Sequence, residues 1–141
     1  MMLDIVERLQ PLATDGVEVQ VLPDVQAEFE RPTANKGRLS VVFFEMKPSG
    51  PMKSAGRTVQ EMDMTFHLMI HATKMEGPFG ISDLHNRARK LLIGYDPTDC
   101  DDILHGGLMF SRYLTSLWEY NMILNTKTLL VEDYTESPDA P

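Results

Sequence analysis

The sequence has little of what a disulfide-bonded, secreted or membrane-spanning protein needs. It contains one cysteine, Cys100, among 141 residues, which excludes an intramolecular disulfide and favours a reducing compartment. The longest apolar run, at positions 39–44, is interrupted by Ser40 and falls short of the roughly 18 residues that cross a bilayer. Asp4 stands where a secretory signal peptide carries positive charge. We therefore expect no membrane partner.

Basic residues are scarce as well. Lys and Arg number 13 against 21 Asp and Glu, which gives a net charge of −8. A chain this acidic repels phosphate backbones unless its basic residues cluster on one surface, so general nucleic-acid binding is disfavoured. The hydrophobic fraction of 43% and the charged fraction of 24% are those of an ordinary soluble globular protein. The length fits one domain.

The short motifs that carry common enzyme chemistry are absent. The sequence contains no GxSxG nucleophile elbow, no Walker loop and no GxGxxG phosphate loop. Cys100 has no CxxC partner, and its acidic neighbours are expected to raise the pKa of the thiol and suppress the thiolate. We therefore expect no enzyme activity, no catalytic residue and no cofactor.

Two groups of residues resemble metal ligands. His67 and His71 have the HxxxH spacing of zinc ligands on a helix, but the surrounding sequence alternates as a strand does. Along a strand four residues span about 13 Å, which is too far for one metal ion. The acidic residues of the 96–102 segment lack the ligand order of a calcium loop and favour a solvated turn. We expect no metal site, with a weak divalent site between subunits as the alternative.

The spacing of apolar residues predicts the elements of the first half. A helical stripe over 3–13 predicts a helix that bends or ends near Gln10, because Pro11 lacks a backbone N–H. Alternation predicts a strand over 17–21, and a nearly continuous apolar run predicts a covered strand over 38–46. The segment 24–37 has little periodicity and contains Pro32, Asn35 and Gly37, and 47–57 contains two prolines and two glycines. Both are predicted to be loops, the second a protruding arm.

A long alternating strand and a helix dominate the middle of the chain. Positions 58–74 alternate strictly, which places Met62 and Met64 on the apolar face and pairs this strand with 38–46 as a hairpin. The period then changes to about 3.6, which predicts a helix over 81–92 that Gly94 ends.

Two more strands are predicted at 108–117 and 118–131, after an acidic loop at 96–102 and a break at Gly106 and Gly107. Residues 134–141 are predicted to be a disordered acidic tail of the domain formed by 1–133. The predicted fold class is α+β, with one mainly antiparallel or mixed sheet of about five strands and two helices packed on one face.

The order of these segments resembles a known protein family. The segments are the helix LDIVERLQPL, the strands VEVQVLP and GRLSVVFFEM, the alternating strand VQEMDMTFHLMIHAT, the helix GISDLHNRARKLLIGYDP and the closing pair GLMFSRYL and LWEYNMILNTKTLLVED. This layout resembles the tail terminator, or tail-completion, proteins of long-tailed bacteriophages, especially the Mu-like contractile-tail branch. The resemblance extends over about residues 3–133.

The resemblance implies a structural role in the virion. Proteins of that family assemble as a hexameric ring on the head-proximal end of the tail tube, stop polymerisation of the tube (and of the sheath when the tail contracts) and dock to the neck or connector. The family has no catalytic residues to carry over. We therefore expect assembly in the host cytoplasm and a location in the tail or neck of the virion. The expected partners are other copies of the chain, the tail tube protein, the sheath protein and the neck protein, with transient non-specific passage of DNA.

Two sets of charged residues are candidates for this role. The predicted contacts with neighbouring copies or the tube are Lys47, Met52, Lys53, Arg57, Arg87, Arg89 and Lys90. The predicted lumen-facing acidic residues, which would let DNA slide without sticking, are Glu61, Asp63, Asp99, Asp101 and Asp102. Three other interpretations stay open: a head–tail adaptor, neck or other completion protein, a small ligand- or metal-binding enzyme, and a host interaction module unrelated to phage.

Overall fold

One mixed sheet with helices on a single face forms the body of the molecule. The computed structural model describes residues 2–22, 36–49, 53–54, 57–114 and 116–133. The helices are α1 (Met2–Arg8), α2 (Gln10–Thr14) and α3 (Ile81–Leu92). The strands are β1 (Glu18–Val21), β2 (Arg38–Pro48), β3 (Lys53–Ser54), β4 (Arg57–Ala72), β5 (Leu104–Leu114) and β6 (Leu117–Asp133).

The strand order across the sheet is β1-β2-β4-β6-β5, and the two-residue β3 pairs with the beginning of β4. β1 runs parallel to β2, whereas the other neighbours are antiparallel. The α+β class, the mixed sheet of about five main strands and the packing of helices on one face are therefore confirmed.

Strict alternation gives the sheet two different faces. We call the side covered by the helices the helix face and the opposite side the open face. The buried side chains of β4 on the helix face are Met62, Met64, Phe66, Leu68, Ile70 and Ala72. The helices cover them with Ile5, Leu9, Leu12, Ile81, Leu84, Ala88 and Leu92. The predicted core positions of Met62 and Met64 are confirmed, because burial of this stripe is the main gain in folding free energy.

The break predicted near Gln10 in the N-terminal helix is confirmed. α1 ends at Arg8, and Pro11 lies in the first turn of a second short helix, α2, where the missing N–H costs no hydrogen bond. Ile5, Leu9 and Leu12 face the core, whereas Leu3 is 71% exposed and lies outside the stripe. The other long helix, α3, agrees with its prediction at both ends, and Gly94 adopts a φ of 87° just beyond it.

Two predicted breaks lie within strands instead. The segment 47–57, predicted as a loop, contains the end of β2, all of β3 and the start of β4, because strand pairing satisfies its backbone groups. Gly106 and Gly107, predicted as a break, lie inside β5 at a register shift between His105 and Gly107; their lack of side chains accommodates the bulge.

Two of the predicted segments fall outside the described residues. Only the last two residues of the loop predicted at 24–37 are described. The tail predicted at 134–141 lies wholly outside the described residues. Among the residues that are described, no helix is long and apolar enough to cross a membrane.

Candidate assembly surface

The sheet continues beyond the region that the helices cover. We define the outer arm as residues 43–49 of β2 and its end, β3, residues 57–61 of β4 and residues 129–133 of β6. None of its described side chains is buried. The five residues of β4 in the outer arm extend it by about 17 Å, at roughly 3.4 Å per residue. A sheet extension of this kind has no layer of its own chain over it among the described residues.

Large apolar side chains are concentrated on the outer arm. Leu129, Leu130 and Val131 are consecutive in β6 and are 61%, 43% and 47% exposed. Phe44 and Met46 on β2 are exposed as well. Exposed large apolar side chains in such number on one part of a soluble protein mark an interaction site or an aggregation hazard. The outer arm is therefore the candidate functional surface of this chain.

The base of the outer arm carries an ionic cluster around Lys127. Its Nζ lies 2.8 Å from a carboxylate oxygen of Asp63 and 3.2 Å from one of Glu61. The hydrogen bond from Lys127 lowers the pKa of Asp63 below its ordinary value, and the two carboxylates raise the pKa of Lys127. Both shifts favour the charged forms, so Asp63 and Lys127 form an ion pair near neutral pH.

The acidic loop follows the free edge of β6 beside this cluster. The backbone N–H of Asp101 donates to the carbonyl of Lys127 at 2.8 Å. The hydroxyl of Thr128 donates to the carbonyl of Asp99 at 2.7 Å, and Thr126 donates to the carbonyl of Asp101 at 2.6 Å. Backbone pairing therefore holds the loop at the base of the outer arm.

The five predicted acidic residues come together there. A cleft of about 730 Å³ is lined by Asp63, Asp101 and Asp102, together with Lys47 and Lys127. A second cleft of about 590 Å³ on the other side of the loop includes Glu61, Asp99 and Asp101. The two residues of β4 lie more than 30 positions before the three residues of the loop, and the pairing of β4, β6 and the loop brings the two groups to one place. Their orientation toward a lumen stays a prediction.

The predicted contact residues fall into two groups that the fold keeps apart. Lys47 is exposed on β2, with its ammonium 3.6 Å from Glu45, Lys53 lies in β3 and Arg57 begins β4. Met52 lies outside the described residues. These positions belong to the outer arm, and their contacts with partners stay a prediction.

The second group is on α3. Arg89 and Lys90 are exposed, as a solvated helix face or a docking surface requires. Arg87 differs, because its guanidinium pairs with the carboxylate of Asp15 and lies 5.7 Å from the ring centroid of Phe79. It therefore links α3 to the end of α2 within one chain.

The two histidines with zinc-like spacing are separated as predicted from strand geometry. His71 is buried, and its Nε2 lies 2.8 Å from Oε1 of Glu119. The ring of His67 stacks on Phe44 with 4.2 Å between the centroids. Within the part of the chain that the structure describes, no group of three or more His, Cys, Asp or Glu side chains could hold a metal ion.

A row of polar and charged residues, which no sequence motif indicates, crosses the open face. The pairing register places Glu18, Arg38, His71, Glu119 and Arg112 side by side on β1, β2, β4, β6 and β5. Nε of Arg38 lies 3.4 Å from Glu18, and Nε of Arg112 donates to Glu119 at 3.1 Å. The row therefore contains two ion pairs, Glu18 with Arg38 and Glu119 with Arg112, and it crosses all five main strands.

Glu119 is the centre of this row. Its carboxylate accepts hydrogen bonds from His71, Ser111 and Arg112. Burial alone would raise its pKa, but these hydrogen bonds more than offset that effect and lower the pKa to about 2. Glu119 is therefore ionised at every physiological pH and ties the edge strand β5 to β6 and β4.

A second histidine pair joins α3 to the edge of the sheet. Nε2 of His85 lies 2.9 Å from Nε2 of His105, and the backbone N–H of Gly107 donates to Nδ1 of His105 at 3.0 Å. Because Nδ1 of His105 is an acceptor, the neutral ring carries its proton on Nε2 and donates it to His85. The two residues are 20 positions apart, so no motif could have identified them.

Comparison with known proteins identifies the family. The model of the Gp37 protein family matches residues 5–141, which is almost the whole chain. The chain belongs to the Gp37 protein family. This is a bacteriophage protein family, so the phage origin that the resemblance implied is confirmed. A search of curated proteins found no match.

Cys100 of this Gp37-family protein lies in the loop along β6, packed against the core. Burial raises the pKa of its thiol, and the charges of Asp99 and Asp4 act in the same direction, while a hydrogen bond with Thr128 acts against them. The predicted rise is therefore correct, although burial and not the acidic neighbours is its main cause. The thiol is protonated near neutral pH, which suits a packing role.

Proposed function

We propose that this Gp37-family protein is a non-enzymatic structural protein of the virion, a tail terminator that forms a homohexameric ring on the end of the tail tube. The observation that carries the proposal is the apolar outer arm, since exposed leucines, valine and aromatic residues on a sheet extension mark a surface that another chain covers. Membership of a phage family is consistent with this role.

The ring would have three kinds of partner. Neighbouring copies cover the outer arms, the tail tube (and the sheath, if the tail contracts) binds one side of the ring, and the neck or connector docks on the other. The exposed residues Lys47, Arg89 and Lys90 supply basic contacts on a molecule that is otherwise negative, which offsets repulsion where copies meet. Heterologous contacts that close on themselves generate such a ring.

The acidic residues at the base of the outer arm would line the channel. Asp99, Asp101 and Asp102 are exposed, and like charge would keep the passing DNA from binding tightly. A ring structure that places these three residues, together with Glu61 and Asp63, on the outer wall would refute this part of the proposal.

The test uses the purified full chain, alone and mixed with tail tubes. Native mass spectrometry is expected to find hexamers, and electron microscopy is expected to show rings that sit at one end of each tube. A monomer at every concentration that leaves tubes uncapped would contradict the proposal. Binding to a neck or portal complex instead of the tube would support the head–tail adaptor interpretation.

A further inference from the structure

The outer arm is apolar on both of its faces, and the register shows which residue belongs to which face. Leu130 pairs with Gln60 and continues the helix face of β6, on which Met46 of β2 also lies. Leu129 and Val131 pair with Glu61 and Val59 and lie on the open face. Each face therefore presents large exposed apolar side chains.

Two-sided exposure restricts how copies can assemble. In an isologous dimer the same patch meets its own copy, so one face of each outer arm would be covered and the other would stay in water. A heterologous contact joins two different patches, so each copy uses one face toward the next molecule and the other face toward the previous one. Only the second arrangement covers both faces with a single type of interface.

We propose that the open face of one copy's outer arm, at Leu129 and Val131, packs on the helix face of the next copy's outer arm, at Leu130 and Met46. This inference rests on the self-assembly in the proposed function and specifies its interface. A repeated contact of this kind closes into a ring when the rotation between copies divides the circle, and each copy then has two neighbours. Two or three side chains supply only part of the roughly 800 Å² per partner in a stable interface, so the residues around them on each face must contribute to the contact.

The charges of the outer arm are compatible with coverage by another chain. The ammonium of Lys127 lies between Glu61 and Asp63, next to Leu129 on the open face. Its charge compensates one of the two carboxylates within the same chain. Covering Leu129 therefore does not leave Lys127 as an isolated charge, whose burial would cost more than the apolar contact contributes.

Extension of the sheet through its edge is a less suitable route. The edge strand β5 contains two register shifts, between His105 and Gly107 and between Phe110 and Arg112. Bulges in an edge strand twist it and interrupt the backbone ladder, which is a recognised protection against strand addition. Assembly is therefore expected to use the faces of the outer arm in preference to the β5 edge.

Two matched double variants test the inference in the full chain. The open-face variant carries Leu129→Ser and Val131→Ser. The helix-face variant carries Met46→Ser and Leu130→Ser. The single variant Leu3→Ser on α1 is the control for loss of an exposed leucine. The wild type and the control are expected to form rings, and each double variant alone is expected to be a monomer. An equimolar mixture of the double variants is expected to form dimers with one copy of each, because only one intact pair of complementary faces remains.

Native mass spectrometry distinguishes the outcomes. Homodimers of each double variant alone would indicate an isologous contact and overturn the inference, as would rings of normal size from both variants. A wild-type monomer would overturn the proposed function itself, and the inference with it. Far-UV circular dichroism verifies folding, and if a serine variant is unfolded, the volume-conserving pair Leu129→Gln and Leu130→Gln replaces it with the same expected pattern.

Discussion

At the scale of single residues, Glu119 is the group whose ionisation matters most for stability. It is 4% exposed and accepts hydrogen bonds from three side chains. The substitution Glu119→Gln is expected to destabilise the protein by roughly 3 kcal/mol, because removing one partner of a buried ionic network leaves Arg112 and His71 without their carboxylate. Urea unfolding at pH 7 measures this change, with Glu45→Gln as a control on the exposed part of β2.

The ionisation of Glu119 also makes the free energy of unfolding depend on pH. Its pKa is about 2 in the folded protein against 4.5 ordinarily, so the unfolded chain binds the proton more readily. Its contribution, roughly 3 kcal/mol at about 1.4 kcal/mol per pH unit, is present above pH 4.5 and is lost as the pH falls toward 2. The free energy of unfolding of the wild type is expected to fall over this range more steeply than that of Glu119→Gln. Parallel curves for the two proteins would contradict the assignment.

His85 adds a second acid-sensitive contact at higher pH. Burial lowers its pKa below the ordinary 6.5, and the nearby His105 and Arg89 act in the same direction. The unfolded chain therefore binds the proton first, and stability from this site is lost as the pH falls below 6.5. The substitution His85→Gln keeps an acceptor for the N–H of His105 and is expected to reduce the loss of stability between pH 7 and 5.5. Thermal melts at both pH values of wild type and variant measure this difference.

At the scale of elements, the entry to β2 depends on a glycine. Gly37 has a φ of 85°, and a Cβ there would lie 2.8 Å from the carbonyl oxygen of His71 and 2.7 Å from a methyl group of Leu84. Gly94 after α3 has nearly the same φ of 87° but open space around it. The substitution Gly37→Ala is therefore expected to cost more than Gly94→Ala, by roughly 1–3 kcal/mol for the clash. Equal losses in urea unfolding would show that backbone strain alone decides both sites.

The elements differ in how far the sequence could predict them. α3 and β4 were predicted nearly to their ends, because an apolar stripe of period 3.6 and strict alternation are local signals. The prediction of a loop at 47–57 was wrong. Its prolines and glycines favour turns locally, but pairing with β4 makes most of the described part a strand. The break predicted at Gly106 and Gly107 was also wrong. Glycine is typical of both bulges and turns, so the residue type alone does not distinguish them.

At the scale of the whole molecule, assembly is expected to appear in the melting temperature. A partner that binds only the folded state stabilises it in proportion to the logarithm of its concentration. The melting temperature of the wild type is therefore expected to rise with protein concentration, whereas that of the variant with Leu129→Ser and Val131→Ser is expected to stay constant. Calorimetry over a hundredfold range of concentration measures both. A constant value for the wild type would contradict self-association through folded copies.

The sequence by itself determined the fold class, the residues of the core and the alternation of faces along each strand. It also placed acidic residues on β4 and in the loop, and the order of its segments indicated a phage protein. It could not determine which polar residues meet, because alternation specifies a face but not a register. Glu18, Arg38 and His71 each read as ordinary polar positions.

Only the tertiary structure decided that these residues form one ionic row with Glu119, and that Lys127 gathers Glu61 and Asp63 at the base of the outer arm. It also decided that Leu129, Leu130 and Val131 extend past the described helices and are exposed on both faces of the outer arm. The physical reason is that burial and charge pairing depend on contacts between residues far apart in the chain, and the pairing register of the sheet sets those contacts.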